Sequence, residues 1–157
     1  MADPTTTAAA PAPAPNPKPV QTPLTLVMTL KSKKAFEDLN ATLQKFNAMP
    51  DAENPVMQAM DAVGTVHFAR FVFLEHNTKL AVITTFDGDL KDYLEDFCAK
   101  IGPIFDMLDG HMVDGPPAPC QQHPQEFLAY VEKNNVPTVG FYSAYPTKTV
   151  LDIRNAD

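Results

Sequence analysis

The chain has no run of basic residues longer than Lys33-Lys34, and its 19 acidic side chains outnumber 12 basic ones for a formal charge of −7. A surface that tracks phosphates needs the opposite balance, so nucleic acid is not an expected partner. Cysteine is scarce as well: Cys98 and Cys120 are too few for a metal motif or a dense disulfide framework, and reduced thiols are expected. No apolar run approaches the roughly 20 residues that cross a bilayer. The first residues lack the basic start and apolar stretch of a secretory signal, so no membrane span and a cytoplasmic location are expected. Also missing are a Gly-rich phosphate loop, a His-Cys cluster and a local Ser-His-Asp motif. No short motif names a reaction.

What is present is a hairpin. In Val63 to Gly88, VGTVHFARFVFLEHNTKLAVITTFDG, a strand of period two is followed by a polar turn, Glu75 to Lys79, and a β-branched return strand, Leu80 to Phe86. Strict alternation sets Val66, Phe68, Val72 and Leu74 on one face, with His67, Ala69, Phe71 and Phe73 on the other. Both faces are apolar.

The remaining elements fall around it. Residues 1–22 are rich in Ala, Pro and Thr, and proline removes amide donors and favours extended chain. A disordered tail is expected there, either a passive tether or a Pro-rich recognition segment, followed by one domain over 23–157. Leu24 to Leu30 alternates as a first strand. Ser32 offers a cap for an amphipathic helix over Lys33 to Met49, built on Phe36, Leu39, Leu43 and Phe46. Pro50 to Ala62 reads as loop or short helix. Asp87 stands where a cap belongs before a long helix through Leu108, which Pro103 should kink or divide. A Pro-rich connection follows, then a short helix from Pro124 and a last strand, Thr138 to Tyr145, before a terminal turn from Val150 to Arg154. The order is that of an α+β, ferredoxin-like βαββαβ sandwich with an extra helix.

A two-layer sandwich leaves one sheet face uncovered, and here neither face is polar. Such a face marks an interface or a ligand groove. Either a second copy packs sheet against sheet, making a homodimer, or one of the insertions, Pro50–Ala62 or Gly110–Val136, covers it.

The element order, the strand TVHFARFVFL, the junction TTFDGDLKDYLEDF and the closing FYSAYPTKTVLDI resemble the dimeric α+β-barrel superfamily over roughly Pro23 to Ile153. That group includes antibiotic-biosynthesis-type monooxygenases, chlorite-dismutase-like haem proteins and dye-decolourising peroxidases. The resemblance implies a pocket between sheet and helices that holds haem or a small hydrophobic molecule. It also implies a peroxidase- or monooxygenase-like oxidoreductase. The peroxidases carry Gly-x-x-Asp-Gly with a catalytic Asp; Thr84-Thr85-Phe86-Asp87-Gly88 lacks the first glycine, so Asp87 reads first as a helix cap, with catalysis the lesser alternative.

Within this frame His67 is either a pocket acid/base or a satisfied core histidine. Arg70, on the opposite face by strand parity, either pairs with a carboxylate or holds an anionic ligand, a propionate or a fatty carboxylate. His67 and Arg70 are thus the candidate catalytic residues. His111, past the long helix, is the candidate axial ligand for haem iron or else a loop histidine, with Arg70 and Phe71 as further cofactor contacts. His76 and His123 are expected in solvent, Cys98 in the core and Cys120 exposed in its loop. Tyr93, Tyr142 and Tyr145 read as packing. The rival reading is a non-enzymatic module that docks on a larger protein partner through its apolar sheet face, with the tail as tether.

Overall fold

The computed structural model describes residues 19–156. The expected tail lies outside them up to residue 18. The elements in order are β1 Gln21–Thr29, α1 Lys33–Asn47, α2 Pro55–Val63, β2 Val66–Leu74, β3 Lys79–Asp87, α3 Leu90–Asp109, a 3-10 turn Cys120–Gln122, α4 Pro124–Asn134 and α5 Val150–Arg154. Gln21 and Thr22, assigned above to the tail, already pair with Asp87 and Phe86. The chain is an α+β protein whose antiparallel sheet has the order β1-β3-β2.

Local chemistry sets the helix ends. Ser32 Oγ accepts the Ala35 amide, and the Asn54 side chain accepts those of Val56 and Met57, with Pro55 opening α2 where no amide is needed. Gly64 ends α2 at φ 70°, in the left-handed region that a side chain disfavours. The cap of α3 is Asp89, which accepts the Asp92 amide, and not Asp87 as expected. Pro103 kinks α3 as expected, the break falling at Ile101 with φ −138°. Proline gives no amide to the carbonyl of Ala99, and the Gln121 side chain donates to that oxygen instead, at 3.3 Å.

One face of the sheet is closed by helices. Leu24, Leu26 and Met28 of β1 and Leu80, Val82 and Phe86 of β3 are buried there. From Phe86 a chain of aromatic contacts runs through Tyr93 (stacked, centroids 3.9 Å apart), Phe97 and Phe105 to Phe127 of α4, tying β3 to both helices. Phe36 of α1 meets Phe73 of β2 edge to face at 4.8 Å.

Strict alternation fails at one residue of β2. The β2–β3 register shifts between Val66 and Phe68, so Val66 lies opposite Phe86 and Phe68 opposite Thr85, leaving His67 as a bulge. Val66 is therefore buried with the core, and Phe68 faces outward, 77% exposed.

The last strand, expected over Thr138 to Tyr145, is not formed. Its flanks are held along the free edge of β1: the Val136 amide donates to Thr25, and Val20 to Pro146. Gln21 adds side-chain bonds to the carbonyls of Tyr145 and Lys148. Between these anchors the segment exceeds the strand edge it spans, and Pro137, Pro146 and edge residue Pro23 each lack an amide. It bows outward and leaves Val139, Tyr142 and Tyr145 exposed.

Candidate functional site

The bulge and the helix pair α1–α2 together form a cleft. Its volume is about 520 Å³; Phe71 and Phe73 floor it, and Leu43, Phe46, Met57 and Met60 wall it. Alternation in β2 brings the two phenylalanines to this side, and the three- and four-residue spacing of the helices brings the rest. Asn54, buried at the start of α2, donates to the Phe46 carbonyl at the end of α1 and fixes the angle between the two walls.

His67 sits at one edge of the cleft. Its Nε2–H donates to Asp87 Oδ1 at 2.6 Å, and the two side chains are only 6% and 10% exposed. The other oxygen of Asp87 accepts the Val150 amide at 2.8 Å, the first of α5. The backbone amide of Asp87 reaches back to Thr65. Asp87 thus joins the bulge of β2, the end of β3 and the start of the last helix. The carboxylate fixes the proton on Nε2 and leaves Nδ1 of the neutral ring as the atom able to accept one. This pairing escaped the sequence reading, which used Asp87 as a cap; the signal for it was the hairpin register, which brings position 67 beside 87.

Arg70 lines the same cleft from its rim and is exposed, and no carboxylate pairs with it among the described residues. The carboxylate partner considered above is therefore not found. Arg154 reaches the rim too, bridged to Asp61 at 2.7 Å in an exposed pair. His67 and Phe71 therefore share this cleft, whereas Arg70 borders it at the strand edge, where alternation past the bulge sets it with Phe68, Val72 and Ile83 on the open face.

His111 does not join them. It follows α3, where its Nδ1–H donates to the Met107 carbonyl at 2.8 Å, while its own carbonyl accepts from Lys31 and neighbouring Met112 bridges to Leu30. Leu30 lies by the hairpin turn, bonded to Thr78, whereas His67 lies at the opposite end of β3. At about 3.3 Å per strand residue the two histidines are roughly 25 Å apart. A haem held by His111 with its carboxylates on Arg70 does not fit this arrangement.

A second group of polar side chains is buried between α3, the 3-10 turn and α4. Cys120, expected in solvent, is fully buried, as is Cys98. Asp106 accepts the Cys120 amide at 3.0 Å. Asp109 is buried, and its Oδ2 has no hydrogen-bond partner among the described residues; burial, then the nearby Asp106 charge, pushes its carboxyl up to about 7. The Tyr130 hydroxyl is likewise unpartnered.

The fold and the cleft define an α+β protein with one open sheet face and a ligand-sized recess beside it. Comparison with protein-family models, curated proteins and solved structures gives no match. Among the described residues no helix is long and apolar enough to cross a membrane.

Proposed function

We propose that the cleft between α1, α2 and β2 binds a small, largely apolar organic anion. The carrying observation is an apolar floor and walls, bordered at the strand edge by an arginine, Arg70, with no ion pair among the described residues, and by one carboxylate-oriented histidine, His67. Apolar walls supply affinity and a few convergent polar groups supply orientation, which is the composition expected of a ligand pocket. Arg70 would take the carboxylate through its planar fork, and His67 Nδ1 would accept a hydrogen bond or a proton from the ligand.

Haem belongs to the same chemical class, a flat apolar body with two carboxylates, and the proposed oxidoreductase activity rests on its being the ligand. The test is a titration with haemin beside decanoate, followed by absorption and by native mass spectrometry. One-to-one binding of either, weakened in Arg70→Gln and in Met57→Glu, supports the cleft; a Soret shift lost in His67→Ala but kept in His111→Ala assigns haem to it. Binding of neither sinks the ligand reading.

A second reading rests on the outer sheet face, where Phe68, Val72, Leu74, Ile83 and Val27 lie on one side, Phe68 and Leu74 exposed and the other three half-buried. We infer that a second copy covers this face. The segment along the β1 edge stands where the fourth strand of a ferredoxin-like sheet would run, and both ideas make the chain half of a dimeric α+β barrel. Mass in solution tests this: a dimer that Phe68→Glu converts to monomer supports it, and a monomeric wild type ends it.

A further inference from the structure

Cys98 and Cys120 lie far apart in the chain and are both buried as free thiols. Cys98 and Gly102, on either side of the break at Ile101, both lie on the buried side of α3. The Sγ of Cys120 approaches that side closely: a Cβ on Gly102 would stand 3.1 Å from it. Glycine leaves the space this sulfur fills. The incoming segment is fixed at the same point by two further bonds, from the Cys120 amide to Asp106 and from Gln121 to the Ala99 carbonyl that the Pro103 kink exposes. The thiol of Cys120 is near enough to that of Cys98 for each to alter the other's ionisation.

We propose that Cys98 and Cys120 are a closable dithiol, a site at which a small disulfide oxidant converts two buried thiols into one intramolecular bridge between α3 and the 3-10 turn. The exchange balances in two steps. The thiolate of one cysteine attacks an oxidant disulfide RSSR, giving a mixed disulfide and one RSH. The second cysteine then displaces the other R group, giving Cys98–S–S–Cys120 and a second RSH. Two protein hydrogens are lost, and the oxidant is reduced to two thiols.

The surroundings set the rate. Burial first, then the neighbouring thiol and the carboxylates of Asp106 and Asp109, pushes the Cys98 thiol up, and burial does the same for Cys120. Both stay protonated near neutral pH, which protects them from casual oxidation and makes closure slow and faster as pH rises. The bridge would pin the connection after α3 at the kink. It also bears on compartment, because in an oxidising one the bridged form would accumulate.

The test uses the whole protein, reduced and then incubated natively with oxidised glutathione at pH 8.5, with intact mass and peptide mapping as readouts. The expected product is monomeric, lighter by two hydrogens, with peptides containing Cys98 and Cys120 joined. Its melting temperature should rise by about 5–10 °C, reversed by reductant. Cys98→Ser and Cys120→Ser should each stop at a glutathione adduct or stay unmodified. Two thiols that still alkylate after denaturation, a stable glutathione adduct on the wild type, or a bridge between chains would each overturn the proposal.

Discussion

Two buried polar groups of this protein meet opposite fates. At the cleft the carboxylate of Asp87 accepts both the His67 ring and the Val150 amide, so each of its oxygens has a partner. Between α3 and α4 the carboxyl of Asp109 is as well buried, yet among the described residues one of its oxygens has no partner, and neither has the Tyr130 hydroxyl of α4. A partnered carboxylate can hold its charge and orient a neighbour, whereas an orphaned one is driven to keep its proton. The first arrangement suits a binding site at the rim of an open cleft; the second costs stability in a closed core.

Breaking the satisfied side should be the most destabilising change. Asp87→Ala leaves the His67 Nε2–H and the Val150 amide without an acceptor, a loss of about 2–4 kcal/mol that urea unfolding at pH 7 would record. Asp87→Asn keeps one acceptor oxygen and should recover part of it.

Relieving the orphaned side should act in the other direction. Asp109 ordinarily titrates near 3.8 and in the fold near 7, so the folded protein keeps a proton that the unfolded chain has released. Its contribution is fully present below about pH 4, declines as pH rises towards 7 and is flat beyond. Asp109→Asn should therefore gain up to roughly 4 kcal/mol over wild type at pH 8 and little at pH 4, read from urea unfolding at both values. An equal gain at both would show that the carboxyl is not the source.

Smaller effects test the contacts around each region. Gln121→Ala removes the side chain that serves the Ala99 carbonyl at the kink, a loss of about 0.5–1 kcal/mol. Arg70→Gln should change stability by less than about 0.5 kcal/mol, because the side chain is exposed and no ion pair is lost. The same change should weaken an anionic ligand roughly tenfold, so binding and stability separate at this residue.

The contrast between the regions also marks what could be read from the chain. The hairpin, α1 with its Ser32 cap and the kink at Pro103 depend on neighbours within a few positions, and local periodicity reveals such features. The bulge at His67 does not announce itself, because one extra residue reverses which face Val66 takes and no local residue type demands it. Thr138 to Tyr145 shows the reverse failure: its alternation is strand-like, but a ladder needs amides and matched length, which Pro137, Pro146 and Pro23 deny. His111 looked like a ligand from its place beside a helix, and only the sheet register puts it at the far end from His67. The burial of Cys120 was hidden for a similar reason, since a Pro-rich connection reads as solvent-exposed until the groove beside Gly102 is known to receive it.

The cleft is the centre of this account, and methionine-methyl NMR addresses it directly. Met57 and Met60 line the cleft, whereas Met28 and Met112 are buried in the core. On adding decanoate, the account predicts that the Met57 and Met60 methyl signals move together and saturate at one equivalent, while those of Met28 and Met112 stay in place. Cleft methyls that do not move, or shifts spread over all four, would contradict it.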